Sequence, residues 1–237
     1  MRRILLTALS TFALALPAAA QPTWIAESVL VEPRFPTASD PIRLTLAGKG
    51  QCVSFHPRYE DATGAVVVDI ELHDCVSVPG YHPIRDTVEI GPLPPGRHVV
   101  EVPTWTNPPA VLREPIEVSP DDGRLHLRAA DEDHFVVEAS FRLPGETGLR
   151  TAPGVRHTRD AGYFYFFDPE NVEVTAKIVD GRGVNGHWWV FLANMTTLEL
   201  EIEVTRCPPD GLPVPCVTKT YVQPPGQNRN FLDTSTF

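Results

Sequence analysis

Apolar and polar residues alternate along most of this chain, with the period of two that is typical of half-buried β-strands. In the first half, apolar rows begin at Ile42, Val66 and Val100, and charged residues occupy many of the intervening positions. Turn-forming Gly and Pro residues separate the rows. About seven short strands over residues 22–118 predict an antiparallel, immunoglobulin-like β-sandwich.

The pattern resumes after a polar segment at residues 119–124, which has the turn chemistry of a linker. Further strands are predicted at residues 134–141, 162–167, 172–179, 187–193, 198–205 and 217–222. The Gly- and Pro-rich residues 142–158 are predicted to form a loop. We expect residues 125–237 to form a second antiparallel β-sandwich, so the predicted fold class is all-β with two sandwich domains.

The clearest single strand lies between residues 198 and 205. Leu198, Leu200, Ile202 and Val204 alternate there with Glu199, Glu201 and Glu203. Successive side chains of a strand point to opposite faces, so the apolar row should be buried and the glutamates should face solvent.

Residues 162–193 form the most aromatic segment and contain the candidate binding residues. Trp188 and Trp189 are adjacent on a predicted strand, so they should lie on opposite faces of its sheet. Tyr163 and Tyr165 should likewise lie opposite the phenylalanines that follow each of them. Aromatic side chains on an outer face could stack on sugars or anchor a protein partner. Burial of both faces is the alternative.

The same segment contains a glycine pattern and several oxygen-bearing side chains, each with its own interpretation. Residues 181–186 match G-x-G-x-x-G, but a strand-like sequence follows, which favours a hairpin loop over a nucleotide site. Asp168, Asp180 and Asn185 carry oxygen ligands of the kind that calcium prefers, so a calcium site is possible. Asp and Asn are also ordinary turn formers.

The first twenty residues predict export. Arg2 and Arg3 precede an apolar run that ends in Ala18-Ala19-Ala20, the pattern of a cleaved signal peptide at residues 1–20. Cleavage would leave 18 basic and 30 acidic side chains, a net charge of −12. We therefore expect a secreted or periplasmic protein that does not bind nucleic acid and has no membrane span in its mature chain.

The four cysteines also favour a location outside the cytoplasm, because an even number of cysteines in an exported chain suggests disulfides. Cys52–Cys75 and Cys207–Cys216 are the favoured pairs, since each lies within one predicted domain. A zinc site is the alternative, although the chain has no C-x-x-C pair.

Catalytic signatures are missing from the sequence. It contains no G-x-S-x-G, no H-E-x-x-H and no cysteine–histidine nucleophile pattern. The proximity of His187 to Asp180 across the predicted turn is the one pairing with potential for acid–base chemistry.

Two stretches resemble known modules. GPLPPGRHVVEV, residues 91–102, resembles the late hairpin of bacterial immunoglobulin-like domains. The second half resembles a C-terminal β module of secreted, often multidomain bacterial proteins, for which no activity is implied. The matching segments are YFYFFDPENVE (163–173), KIVDG (177–181), NGHWWVF (185–191) and DTSTF (233–237). Arg182 stands where that family usually has Cys.

Together these features predict an exported, non-catalytic binding or structural protein whose partner is an extracellular protein or a glycan. A glycan-binding module that uses exposed aromatic residues is one alternative. A secreted hydrolase or hydrolase inhibitor is another, with residues 142–158 as a possible inhibitory loop.

Overall fold

The computed structural model describes residues 24–72, 82–104, 106, 108–128, 132–209 and 212–237. The predicted signal peptide lies outside these ranges. So does Cys75, and with it the predicted Cys52–Cys75 disulfide.

The described residues of the first half of the chain form seven strands. They are β1 (Trp24–Glu32), β2 (Arg43–Gly50), β3 (Val53–Glu60), β4 (Ala65–Leu72), β5 (His82–Glu89), β6 (Gly96–Thr104) and β7 (Ala110–Val118). They form one sheet in the order β1-β2-β5 and another in the order β3-β4-β6-β7. The prediction of about seven strands is confirmed.

One strand pair in the first half differs from the antiparallel expectation. β4 and β6 run parallel, with Ala65 opposite Val99. Parallel neighbours need a crossover connection, and the chain provides it through β5, which lies in the other sheet. Local alternation predicts a strand but carries no information about its neighbour, so this pairing could not be predicted from the pattern.

A hydrophobic core is shared by the strands of the first half. The predicted inward rows are buried, because Ile42, Leu44, Leu46, Val66 and Val100 are all inaccessible to solvent. The other large members of this core are Trp24, Phe55, Val68, Leu93, Val102, Ile116 and Val118.

The described residues of the second half form ten short strands and one helical turn. They are β8 (Leu125–Leu127), β9 (His134–Arg142), β10 (Arg150–Ala152), β11 (Gly154–Arg156), β12 (Ala161–Phe164), β13 (Val174–Asp180), α1 (Arg182–Asn185), β14 (Trp188–Asn194), β15 (Glu199–Cys207), β16 (Val217–Gln223) and β17 (Phe231–Asp233). One sheet has the order β10-β9-β15-β16 with β8 paired to β9, and the other has the order β11-β12-β13-β14-β17.

The predicted loop at residues 142–158 is partly wrong. It contains β10, which pairs with β9, and β11, which pairs with β12. These strands have three residues each and are flanked by Gly and Pro, so their sequence pattern is too short to reveal them. They are stabilised by pairing with the strands adjacent in sequence, β9 for β10 and β12 for β11.

A second hydrophobic core fills the space between the two sheets of the second half. Leu200, Ile202 and Val204 are fully buried, as predicted, whereas Leu198 is only half-buried against the same core. Of the alternating glutamates, Glu203 is exposed, and Glu199 and Glu201 are half-buried. Close packing requires a glycine at position 162, where a Cβ would lie 2.4 Å from Cδ1 of Leu125. The described residues therefore form an all-β protein with two separate cores, one before and one after residues 119–124.

The disulfide Cys207–Cys216 is present, as predicted, and joins the end of β15 to the segment that precedes β16. Within the described residues, no helix has both the length and the apolar composition that crossing a membrane requires.

Candidate binding face of the second-half sheet

The strands β12, β13 and β14 divide the aromatic segment between two faces of one sheet. Phe164, Ile178 and Trp188 point into the core and are buried. Tyr163 and Trp189 lie on the opposite side and are half-buried. The prediction that the two tryptophans occupy opposite faces is thus confirmed.

Strand register places several large apolar side chains together on the outer side. Val179 is opposite Trp189, and Lys177 is opposite Phe191. Phe191 is in turn opposite Leu232 of the edge strand β17. We call this surface the outer face and define it by Tyr163, Lys177, Val179, Trp189, Phe191 and Leu232.

The outer face is in contact with solvent. Leu232 is 69% exposed, although it is a large apolar residue, and Lys177 is also exposed. Trp189 and Phe191 are half-buried because they pack beside their neighbours on the sheet. An apolar row with a cation in its middle can offer both stacking and a charge to a ligand.

The hairpin between β13 and β14 fixes the orientation of the Trp189 indole. Its Nε1–H donates a hydrogen bond to Oδ1 of Asn185, at 3.0 Å. The indole also lies directly on Gly181, where a Cβ would be only 2.2 Å from the Trp189 Nε1. Asn185 and Gly181 therefore hold the ring in one position before any ligand arrives.

The G-x-G-x-x-G segment thus has a structural role in this hairpin. Residues 182–185 form the single helical turn α1, and Gly186 follows with φ of 82°, a left-handed conformation that favours glycine. The strand that follows pairs antiparallel with β13, which confirms the predicted hairpin.

The Trp188 side chain is covered by other residues of the protein. Its side chain is 1% exposed, and its Nε1–H donates to Oδ2 of the buried Asp133, at 3.0 Å. The guanidinium carbons of Arg128 and Arg182 lie 4.5 and 4.4 Å from the ring centroid, which is the geometry of a cation–π interaction. Of the two tryptophans, only Trp189 can contribute to a surface site.

The two candidate tyrosines have separate surroundings. The hydroxyl of Tyr163 donates to the carbonyl oxygen of Pro169, at 3.3 Å, which ties the outer face to the following turn. Tyr165 follows the end of β12 and is half-buried, and its backbone N–H donates to the carbonyl of Pro153. Tyr163 therefore belongs to the outer face, whereas Tyr165 follows the last paired residue of β12 and lies outside that face.

The candidate calcium ligands all have partners within the chain. Asp180 forms hydrogen bonds with the Arg182 side chain, which lower the pKa of its carboxyl group to about 2. Asn185 donates to the carbonyl of Thr234 and accepts from Trp189. Asp168 accepts from the backbone N–H of Glu170. These are the bonds of turns and ion pairs, with which calcium would have to compete.

Nowhere in the described ranges do three or more His, Cys, Asp or Glu side chains converge in a way that could hold a metal ion. The predicted proximity of His187 and Asp180 does not produce a catalytic pair either. Nδ1 of His187 lies 3.2 Å from the carbonyl oxygen of Phe237, and Asp180 is engaged by Arg182.

Four members of the outer face were not predicted, namely Phe191, Lys177, Val179 and Leu232. For Phe191 the signal was present, because it lies two positions after Trp189 on the same strand, whereas Lys177 and Val179 lie on β13, where no residue had been assigned to a face. Leu232 gave no such signal, since it joins the sheet through a three-residue strand about forty positions later.

Comparison of the sequence with models of protein families and with curated proteins, and of the fold with solved structures, finds no match. The resemblance of the second half to secreted bacterial modules therefore stays a prediction.

Proposed function

We propose that this chain is an exported, non-catalytic binding protein and that its ligand contacts the outer face. The observation that carries the proposal is the row on the outer face formed by the half-buried Trp189 and Phe191 and the 69% exposed Leu232. Monomeric proteins rarely leave contiguous large apolar side chains exposed unless another molecule covers them. The partner is an extracellular protein or a glycan.

Export is supported by the signal-like first twenty residues and by the Cys207–Cys216 disulfide. We further propose that residues 22–118 and 125–237 are two domains, the first of them immunoglobulin-like. The two separate cores and the seven strands in two sheets support this division.

A glycan is the second candidate, favoured by the fixed orientation of the Trp189 indole. Sugar rings bind by stacking on aromatic rings, and a ring that is already held in place loses little conformational entropy on binding. Asn185 and Gly181 provide this preorganisation.

A glycan array probed with wild-type protein and with Trp189→Ala separates the two candidates. Loss of a central aromatic contact should weaken binding by at least ~10-fold, and the melting temperature should change little because Trp189 is outside the core. Phe167→Ala is the matched control, since Phe167 is 65% exposed but lies outside the outer face. Glycan binding that is unaffected by Trp189→Ala would refute the glycan candidate.

The non-catalytic part of the proposal is tested with a panel of esterase, glycosidase and protease substrates. We expect no turnover above background. Robust hydrolysis that disappears on a single polar substitution would overturn the proposal.

A further inference from the structure

A large cleft lies between the two halves of the chain and is separate from the outer face. Its volume is about 1160 Å³, and its walls come from β1 and β7 on one side and from residues around β8, β9 and β11 on the other. A volume of this order is enough to hold a small organic molecule.

The charge of the cleft is opposite to that of the whole chain. Six arginines line it, namely Arg34, Arg43, Arg97, Arg128, Arg156 and Arg159. Four glutamates accompany them, namely Glu32, Glu114, Glu117 and Glu132. Among the described residues, Asp160 also pairs with Arg128 from outside the lining, so six arginines face five carboxylates and leave an excess of one positive charge, whereas the full sequence has a net charge of −10. Such a local field attracts anions.

Arg156 is the most deeply placed of these arginines. Its side chain is only 5% exposed, and Nη2 lies 3.3 Å from Oε2 of Glu117. The guanidinium also lies over the ring of Phe35, 4.6 Å from its centroid. Burial lowers the pKa of Arg156 and the negative charge of Glu117 partly offsets that effect, but a guanidinium remains charged in proteins.

Three nitrogen atoms of the cleft residues are buried and lack a hydrogen-bond partner within the described part of the chain. They are Nη1 of Arg156, Nε of Arg128 and Nδ1 of His134. A buried donor left unpaired costs about 1–3 kcal/mol, so its retention calls for an explanation such as a ligand.

Apolar residues form part of the remaining lining, beside Ser119, His126 and His134. Leu30, which is 50% exposed, contributes from β1, and the half-buried Phe35 contributes from the segment after it. A cation-rich wall beside an apolar wall complements a molecule that has an anionic group at one end and a hydrocarbon body at the other.

We propose that this cleft binds a small organic anion, with its carboxylate, phosphate or sulfonate group at Arg156 and Arg128 and its apolar body against Leu30 and Phe35. Because the unpaired guanidinium nitrogens are covered by neighbouring side chains, these side chains shift when the oxyanion accepts hydrogen bonds from the nitrogens. This site is additional to the outer face and does not depend on it.

Isothermal titration calorimetry with three probes tests the proposal on the full chain. Naphthalene-2-sulfonate has both the anion and the apolar body, naphthalene-2-methanol lacks the charge, and inorganic sulfate lacks the body. We expect one molecule of naphthalene-2-sulfonate to bind per chain, more weakly as salt increases, and the other two to bind at least ~10-fold more weakly. Absence of naphthalene-2-sulfonate binding, or equal binding of either partial probe, would overturn the proposal.

Substitutions locate the binding within the cleft. Arg156→Gln should weaken naphthalene-2-sulfonate binding by ~10-fold or more, which corresponds to the loss of one charge-assisted contact. Arg159→Gln should weaken it by ~3-fold through loss of local charge, and it remains informative if the buried Arg156 proves necessary for folding. Arg150→Gln is the control, because Arg150 is paired with Glu146 outside the cleft. Equal affinity in all three variants would refute the assigned location.

Discussion

Removal of the Asp133 carboxylate should destabilise the second half of the protein. Asp133 is 8% exposed and accepts hydrogen bonds from three side chains. The donors are Nε1 of Trp188 at 3.0 Å, Nη1 of Arg182 at 3.1 Å, and Nε and Nη2 of Arg206 at 3.1–3.3 Å. Asp133→Ala leaves all of these donors without their acceptor.

The loss in free energy of unfolding caused by Asp133→Ala depends on how deeply each donor is buried. The Trp188 indole is almost fully buried, so its stranded N–H should cost about 1–3 kcal/mol. Arg182 and Arg206 are partly exposed and can be solvated, so each lost ion pair should cost about 0–1 kcal/mol. The total is about 3 kcal/mol, which lowers the melting temperature by roughly 10–20 °C for a domain of about 110 residues.

Urea unfolding of Asp133→Ala, Trp188→Phe and the double variant measures this cost and its origin. Phenylalanine removes the indole N–H, so the two changes should be coupled by about 0.5–3 kcal/mol. Glu146→Gln is the control, because its ion pair with Arg150 is exposed and should contribute under about 1 kcal/mol. The reasoning would be refuted if Asp133→Ala lowered the free energy of unfolding by less than 1 kcal/mol, or if the effects of the two substitutions were strictly additive in the double variant.

Three further predictions follow from other parts of the second half. Gly181→Ala should displace the Trp189 indole, visible as a shift of its N–H signal in a ¹H–¹⁵N NMR spectrum, and an unchanged signal would contradict the contact. Burial raises the pKa of Asp233, but hydrogen bonds from Lys219, Thr236 and Tyr221 outweigh this and lower it overall. The ionised Asp233 carboxylate should therefore stabilise the fold above about pH 4, and this stabilisation should be lost as the pH falls further. In urea titrations, the difference in free energy of unfolding between wild type and Asp233→Asn should be smaller at pH 2.5 than at pH 7. Reduction of Cys207–Cys216, a closed loop with a sequence separation of 9, should lower the free energy of unfolding by about 2.6 kcal/mol in urea titrations, and a change below 1 kcal/mol would contradict the loop-closure estimate.

Much of the fold could be predicted because burial of one face of a strand leaves a local pattern. The row of Leu200, Ile202 and Val204 is buried as expected, and Trp188 and Trp189 lie on opposite faces. Each of these results depends only on the alternation of side chains along one strand. The hairpin at residues 181–186 was equally predictable, since its glycines and asparagine have local turn preferences.

The candidate site was predicted only in part, because a surface is assembled across strands. Trp189 and Tyr163 were identified as candidates, but their neighbours on the outer face depend on register. Leu232 reaches Phe191 through the pairing of β17 with β14, which no local pattern specifies. The short strands β10 and β11 were missed for a different reason, because three residues are too few to show an alternation.

The class of structure follows from the amino-acid sequence, because strand alternation, turn residues and paired cysteines act over a few neighbouring positions. The sequence thus specifies an all-β fold. It also determined which tryptophan side chains oppose each other. Tertiary structure alone decided which of them is covered, through the distant Asp133, Arg128 and Arg182 that surround Trp188. It likewise created the cleft at Arg156, because residues from both halves of the chain meet there only after each core has formed.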